Sequence, residues 1–506
     1  MRVVEVANGL PLTSGRLLAR NTIWNLIGQV APMLVAIVSI PILIKGLGVE
    51  RFGVLTLAWM VVGYASLFDL GLGRALTKVV ADKLGSGQLD EIPALVWTAL
   101  MLMAVLGVAG AICMFALTPW LVTTVLKIPT ALIPETINAF YILAFSIPVV
   151  VGTAAFRGLL EAHQRFGLVN AIRVPMGISN FLGPLLVLPF SARLDATVAV
   201  LVAARIVAGW AHFVLCQKVM PILKTAPQVR RALISPLLRF GGWMTVSNII
   251  SPIMVYLDRF LIGGLLSMSA VAFYVTPYEM VTKLWLIPGA LVAVLFPAFS
   301  TALATDRERA ALLLDKGVRY VFLAIFPITV VIIALAGPGL RIWLGSEFAR
   351  QSTRVLQWLA LGVFVNSMAH LPFAFLQGAG RPDLTAKLHF VELPLYLLLL
   401  WWIVPILGIE GVAIVWVARA TLDTMVIFIL TSKLLVNTSA LRTMSAATGV
   451  ALLLMLIGVF APGGRISAAF LVLTLGLFVP IAWTSILGQE ERDVAHARLN
   501  TVFGIR

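Results

Sequence analysis

Apolar runs of about twenty residues follow one another along nearly the whole chain, separated by short polar turns. At 1.5 Å rise per residue each run is long enough for a helix to cross a bilayer. About fourteen such spans can be drawn. The first six are near Thr22–Ile44, Phe52–Leu76, Ile92–Leu117, Thr136–Arg157, Phe166–Phe190 and Ala196–Cys216. Eight more are near Phe240–Leu261, Ala270–Leu303, Tyr320–Ala336 and Val355–Leu376, two within Leu376–Asp423, and Thr443–Ala461 and Ile466–Leu487. The polar segment DRERAALLLDKGVR reads as an inner loop, and Gly337–Thr353 as an outer loop. The two spans of Leu376–Asp423 meet at a Pro-Gly turn, PILGIEG. Prolines inside spans, such as Pro32, Pro148, Pro277 and Pro394, are expected to bend them.

Part of the pattern recurs. Leu160–Phe166 aligns with Leu376–Pro382, and Ala203–Arg205 with Val417–Arg419, at an offset of about 215 residues. A fainter match pairs Trp24 with Trp243. Repeated halves mark transporter folds, with the substrate site between them. The expected organisation is a first half at 1–217, a basic linker at 218–239, a second half at 240–433, and an added pair of spans with a polar tail at 434–506. The added spans carry no charge and read as lipid-facing.

Composition agrees: 60% of the 506 residues are apolar, 12% are charged and mean hydropathy is +1.03. The net charge of +15 raises nucleic-acid binding as an alternative. Roughly 24 of the 37 Lys and Arg fall on one side of the spans, which makes the charge an orientation signal instead. Basic loops and both termini are then cytoplasmic, and no nucleic-acid partner is expected. Cys113 and Cys216 sit in apolar spans, so no disulfide framework is implied. No metal-type His/Cys spacing, cofactor motif or catalytic cluster stands out, so the chain reads as a transporter rather than an enzyme.

The candidate chemistry lies in charges inside spans: Arg173, Arg205, Arg259, Lys283 and Arg419, against Asp69, Asp258, Glu279, Glu392 and Asp423. Exposing all ten to lipid would cost on the order of 30 kcal/mol, so most must face an interior. Glu279 and Lys283 stand at i,i+4, the favourable order for a structural pair. Arg419 and Asp423 share that spacing in reverse. Arg173 and Arg205 have no acid within a helical turn, which favours an anionic guest, since guanidinium grips phosphate with two donors. Arg259 lies beside Asp258, but adjacent helical residues do not face each other, so a bridge to a neighbouring span competes with substrate contact. Asp69 reads as a structural partner of Arg74. His163, His212, His370 and His389 read singly as packed side chains, and Trp343, Trp401 and Trp402 as interfacial anchors.

LxxRNTIWNLIGQVAP, GLGVERFGVLTLAW, SLFDLGLGRALTKVVA, YLDRFLIGGLLS and the Leu376–Asp423 stretch together resemble bacterial polysaccharide flippases. These are O-antigen-type translocases of the multidrug/oligosaccharidyl-lipid/polysaccharide exporter superfamily. The resemblance implies an all-α membrane protein with two six-helix bundles in a V around a central cavity, plus two C-terminal helices. It implies export of an undecaprenyl-diphosphate-linked oligosaccharide across the inner membrane by alternating access, alongside glycan polymerase or assembly proteins. A cationic cavity of Arg173, Arg205, Arg259 and Arg419 would hold the diphosphate, and Asp258, Glu279, Glu392 and Asp423 are candidate ion-coupling acids. A cation-coupled multidrug or metabolite antiporter on the same fold is the alternative.

Overall fold

The computed structural model describes residues 15–64, 69, 72–86, 88–163, 165–221, 228–235, 256–435, 439–461, 464–487 and 492. All regular structure among them is helical. The polar lead, much of the basic linker, the first part of the 240–261 span, Trp24's side chain, Trp243 and the side chain of Arg74 lie outside the described set.

The chain divides by internal packing into two units, Met1–Ala272 and Phe273–Arg506. The first holds α1 (Gly15–Leu47), α2 (Val49–Tyr64), α3 (Leu72–Ser86), α4 (Ile92–Trp120), α5 (Ile133–Ala162), α6 (Phe166–Val187), α7 (Leu194–Val219) and α8, described over 256–265. α5 is its axis, packed against α2, α3, α4, α6 and α7, while α1 lies along α6. Its core stacks Leu76, Ile92 and Met103 on Ile147, Val151 and Leu159. The Glu135 carboxylate joins three elements, accepting from Arg51 Nε at 2.8 Å and from the Leu194 backbone N–H at 3.1 Å. The end of α8 is fastened to the turn after α4: Lys127 donates from its backbone N–H to Gly263 O (2.9 Å) and from Nζ to Leu265 O (2.6 Å).

The second unit follows α9 (Met268–Val281), which straddles the division. It holds α10 (Leu286–Thr305), α11 (Arg307–Leu344), α12 (Ser346–Gly378), α13 (Pro382–Ser432), α14 (Ser439–Phe460) and α15 (Arg465–Ile481). α12 is its centre, flanked by α11 and α13. Val363, Phe364, Met368, Leu371 and Phe375 of α12 are each fully buried.

Several helices run differently from the apolar pattern. The long 270–303 span is two helices, α9 and α10, joined by a 3-10 turn at Thr282–Trp285. The segment expected as an inner loop is the start of α11, capped by Asp306, whose side chain accepts from the Arg309 N–H. The expected outer loop shrinks to Gly345, at φ +91° between α11 and α12. Hydropathy marks only the part of a helix that needs lipid. Arg, Glu, Ala and Leu are good helix formers in water as well, so both helices continue past the apolar stretch.

The repeat seen in the sequence is also a repeat of geometry. Arg165 N–H donates to Leu160 O (2.9 Å) at the end of α5, and Arg381 N–H to Leu376 O (3.0 Å) at the end of α12. Both are the six-to-one closure of a Schellman-type C-terminus. In the second copy Gly380 takes the left-handed residue, φ +72°.

The appended helices α14 and α15 are fixed to the second unit as well as facing outward. Arg354 of α12 donates to Val459 O at the end of α14 and lies 5.3 Å from the Phe460 ring. Arg319 of α11 donates to Ile486 O (3.1 Å) beyond α15. Each guanidinium answers carbonyls left over at a helix C-terminus. The outward faces carry Val450, Leu453, Ile457, Val472, Leu473 and Leu477, all more than half exposed. Similar apolar faces occur on α4 and α7, and water would not tolerate such patches. Among the described residues, ten helices are long and apolar enough to span a membrane.

Candidate functional site

α13 is two helical arms meeting at Gly408, whose φ of +58° and ψ of −144° lie outside the helical region. A glycine is needed there, because a Cβ would strain that backbone. The PILGIEG turn expected from the sequence is this bend. Glu392 and Asp423 lie about sixteen and fifteen residues either side of it, so folding the arms back brings them to one depth.

Four charged or ionisable side chains meet there. His389 Nε2 is 3.5 Å from Asp423 Oδ1, and Arg419 Nη1 is 3.6 Å from Glu392 Oε2. Arg419 therefore faces Glu392 on the other arm rather than Asp423 one turn away. Its guanidinium stands 5.3 Å from the Tyr396 ring, a cation–π contact. Phe373 lies nearly parallel to the His389 imidazole, with ring centroids 6.2 Å apart. Glu392 and Asp423 are 3% and 6% exposed. Among the described residues, neither Glu392 oxygen finds a hydrogen-bond donor, nor does Asp423 Oδ1. Leaving a buried acceptor unmet costs about 1–3 kcal/mol, more for a charged group, so the pocket favours an arriving cation.

The other sequence candidates fall in different places. Arg205 on α7 donates from Nη2 to Asn180 Oδ1 of α6 at 3.4 Å, while its buried Nε has no acceptor. Arg173 is exposed on α6, two turns before Asn180 on the same face. Asn180 thus meets Arg205 on the face of α6 that also carries Arg173, and nothing in its surroundings in the sequence singled it out. The repeat makes a contrast: Arg205 meets an amide where its counterpart Arg419 meets a carboxylate. Among the described residues the first has no acid within ion-pair distance, and the second has one at 3.6 Å.

On α8, Asp258 and Arg259 are both buried; Asp258 Oδ1 accepts from the Arg259 backbone N–H at 2.7 Å, and the Arg259 guanidinium sits 4.5 Å from the Tyr256 ring. Glu279 and Lys283 form the i,i+4 pair expected, at 3.2 Å and nearly half exposed. His212 and His370 each bond a backbone carbonyl one turn earlier, at 2.8 and 3.0 Å, as packed histidines do. Among the described histidines, His389 is the one within ion-pair distance of an acid, through a contact with Asp423 that sequence spacing does not reveal.

Residues 18–303 match the polysaccharide biosynthesis protein family. The chain belongs to this family. A putative O-antigen transporter of Shigella flexneri is 34% identical over 420 residues, covering 81% of this chain and 96% of the relative. The uncharacterized membrane protein EpsK of Bacillus subtilis (strain 168) is 21% identical over 70% of each chain. Among solved structures, the lipid II flippase MurJ in an inward closed conformation superposes with a TM-score of 0.67 at 13% identity, covering 92% of this chain and 99% of that one. An inward-facing multidrug resistance MATE transporter of the MOP superfamily gives 0.66 at 14% identity, covering 83% and 99%. This polysaccharide biosynthesis protein is therefore a multi-pass, all-helical membrane protein with the fold those transporters share.

Proposed function

We propose that this family member is a flippase that carries an undecaprenyl-diphosphate-linked oligosaccharide across the bacterial inner membrane by alternating access. The observation that carries the reading is Arg205: a positive charge on a membrane-spanning helix, answered by an amide rather than an acid, suits a phosphate-bearing guest. The likeness to an O-antigen transporter over nearly that protein's whole length supports the substrate class. The lipid tail stays in the bilayer while the charged headgroup crosses a wet path past Arg173, Arg205, Arg259 and Arg419. The halves at 1–217 and 240–433 act as the moving bundles, joined by the basic 218–239 linker and followed by the added segment 434–506. Both termini are cytoplasmic, and glycan polymerase or assembly proteins receive the product.

Inward cation flow drives the cycle, with Glu392 and Asp423 as the coupling acids best supported. They are buried, close to each other and only partly neutralised. Asp258 shares their burial, whereas the Glu279 carboxylate is engaged with Lys283. One charge moving down the membrane potential supplies about 2.3 kcal/mol per 100 mV. The same two acids favour a second reading, a cation-coupled multidrug or metabolite antiporter on this fold.

The test replaces Arg205 and Arg419 with Ala in cells that depend on this protein for surface glycan. Lipid-linked glycan is expected to accumulate on the cytoplasmic face while the variant still inserts. Normal export in the double variant removes the reading. Cationic-dye resistance conferred by the wild type, without glycan export, turns the choice to the antiporter.

A further inference from the structure

We infer that the two arms of α13 hold a binding site for a divalent d-block cation of the zinc type, and that metal bound there stops transport. The ligands are His389, Glu392 and Asp423. One imidazole nitrogen and a carboxylate oxygen from each acid all lie within 4.8 Å of one another. His389 and Glu392 stand at i,i+3 on one arm, a spacing that presents both side chains on one helix face. Asp423 comes from the other arm. Three ligands of this kind with a fourth position left to water or an anion is a familiar zinc arrangement.

Three features beyond the cluster support a metal. Both Glu392 oxygens are buried without a hydrogen-bond donor, so the carboxylate has lone pairs to give. The His389 ring lies nearly parallel to Phe373 at 6.2 Å and is a quarter exposed, which leaves an entry side. Arg419 Nη1 lies 3.6 Å from Glu392 Oε2, and Oε1 is left for a metal. Second-layer contacts of that kind tune metal affinity.

The nitrogen ligand argues against sodium, magnesium or calcium, which take oxygen donors. Charge also closes: two carboxylates balance the metal, and a hydroxide or other anion in the fourth position balances Arg419. A bound metal would tie together positions more than thirty residues apart across the Gly408 bend. It would also occupy the carboxylates to which the proposed function assigns cation coupling. The inhibitory half rests on that reading; the binding half does not.

The experiment uses the purified full-length protein in detergent with Co2+ as a spectroscopic probe and Zn2+ as competitor. Wild type is expected to give the visible absorption of four-coordinate nitrogen/oxygen-bound Co2+, displaced by Zn2+ but not by Mg2+. H389A and D423N should each weaken Zn2+ binding roughly tenfold or more. In proteoliposomes, Zn2+ should slow flipping by wild type and spare H389A at the same concentration, relative to each protein's own rate without metal. Equal Zn2+ affinity in wild type, H389A and D423N overturns the site. If a variant fails to fold, a wild-type Co2+ spectrum showing six oxygen ligands overturns it equally. Tight binding with no change in flipping overturns the inhibitory half alone. The R205A/R419A export test judges the flippase reading separately.

Discussion

Asn180 and Glu392 occupy comparable posts in the two halves, each facing the arginine of the repeated motif. They differ in reach by one methylene and in charge, an amide against a carboxylate. An amide orients a guanidinium and leaves its charge for a guest, whereas a carboxylate consumes it. Asn180→Asp should therefore pair with Arg205 and hold it. Charge-assisted hydrogen bonds contribute about 1.5–3 kcal/mol, so flipping is expected to fall roughly tenfold or more, with no loss of thermal stability. Rates in proteoliposomes set beside melting temperatures check this; a parallel drop in both would make Asn180 a packing residue only. The complementary change, Glu392→Gln, frees Arg419 and removes one coupling acid. Its flipping should lose dependence on the cation gradient rather than on substrate concentration.

At the scale of elements, the second unit depends on close approach of α12 and α13. A Cβ built at Gly362 would lie 2.3 Å from the buried Trp416 ring and 3.0 Å from Val417. Trp416 is fully buried between Tyr278 and Trp285, with ring centroids at 5.9 and 6.4 Å, and has little room to move. Gly362→Val is expected to destabilise the protein by about 1–3 kcal/mol through overpacking. Gly289, on α10, has nothing within 4 Å of such a Cβ. Gly289→Ala should be neutral or stabilising by up to about 1 kcal/mol, because alanine is the better helix former. Thermal melts of the two variants in detergent decide it, and equal destabilisation would contradict the packing argument.

For the whole molecule, the distribution of basic residues along the expected spans predicts an inside and an outside. Gln88, exposed just before α4, falls on the cytoplasmic side of that scheme, and Arg193, exposed just before α7, on the outer side. Cysteines placed at these two positions, in a chain with Cys113→Ser, should react with an impermeant maleimide from opposite faces of sealed vesicles. Cys216 is buried and should stay silent. Labelling of both from one face would reject the assignment. The likeness in fold to MATE transporters and to MurJ carries no information on sidedness or substrate at 13–14% identity, so this experiment and the export assay are independent of it.

The membrane class, most of the spans, the bend in Leu376–Asp423 and the repeat were all legible in the chain. Each follows from local features: length of an apolar run, a glycine in a turn, a recurring tripeptide. The sequence also singled out Arg205, Arg419, Glu392 and Asp423 as charges that membrane insertion makes expensive, but not the buried Glu135 of α5. It placed helix ends badly where polar residues continue a helix into water, as in α11 and α12. Partnerships were decided only by the fold. Arg419 faces Glu392 and not the acid one turn away, His389 joins Asp423, and Asn180 holds Arg205, because side chains more than twenty residues apart meet only once helices pack. One-dimensional spacing encodes which face of a helix a residue takes; which helix lies against that face is set by the sum of all the packing.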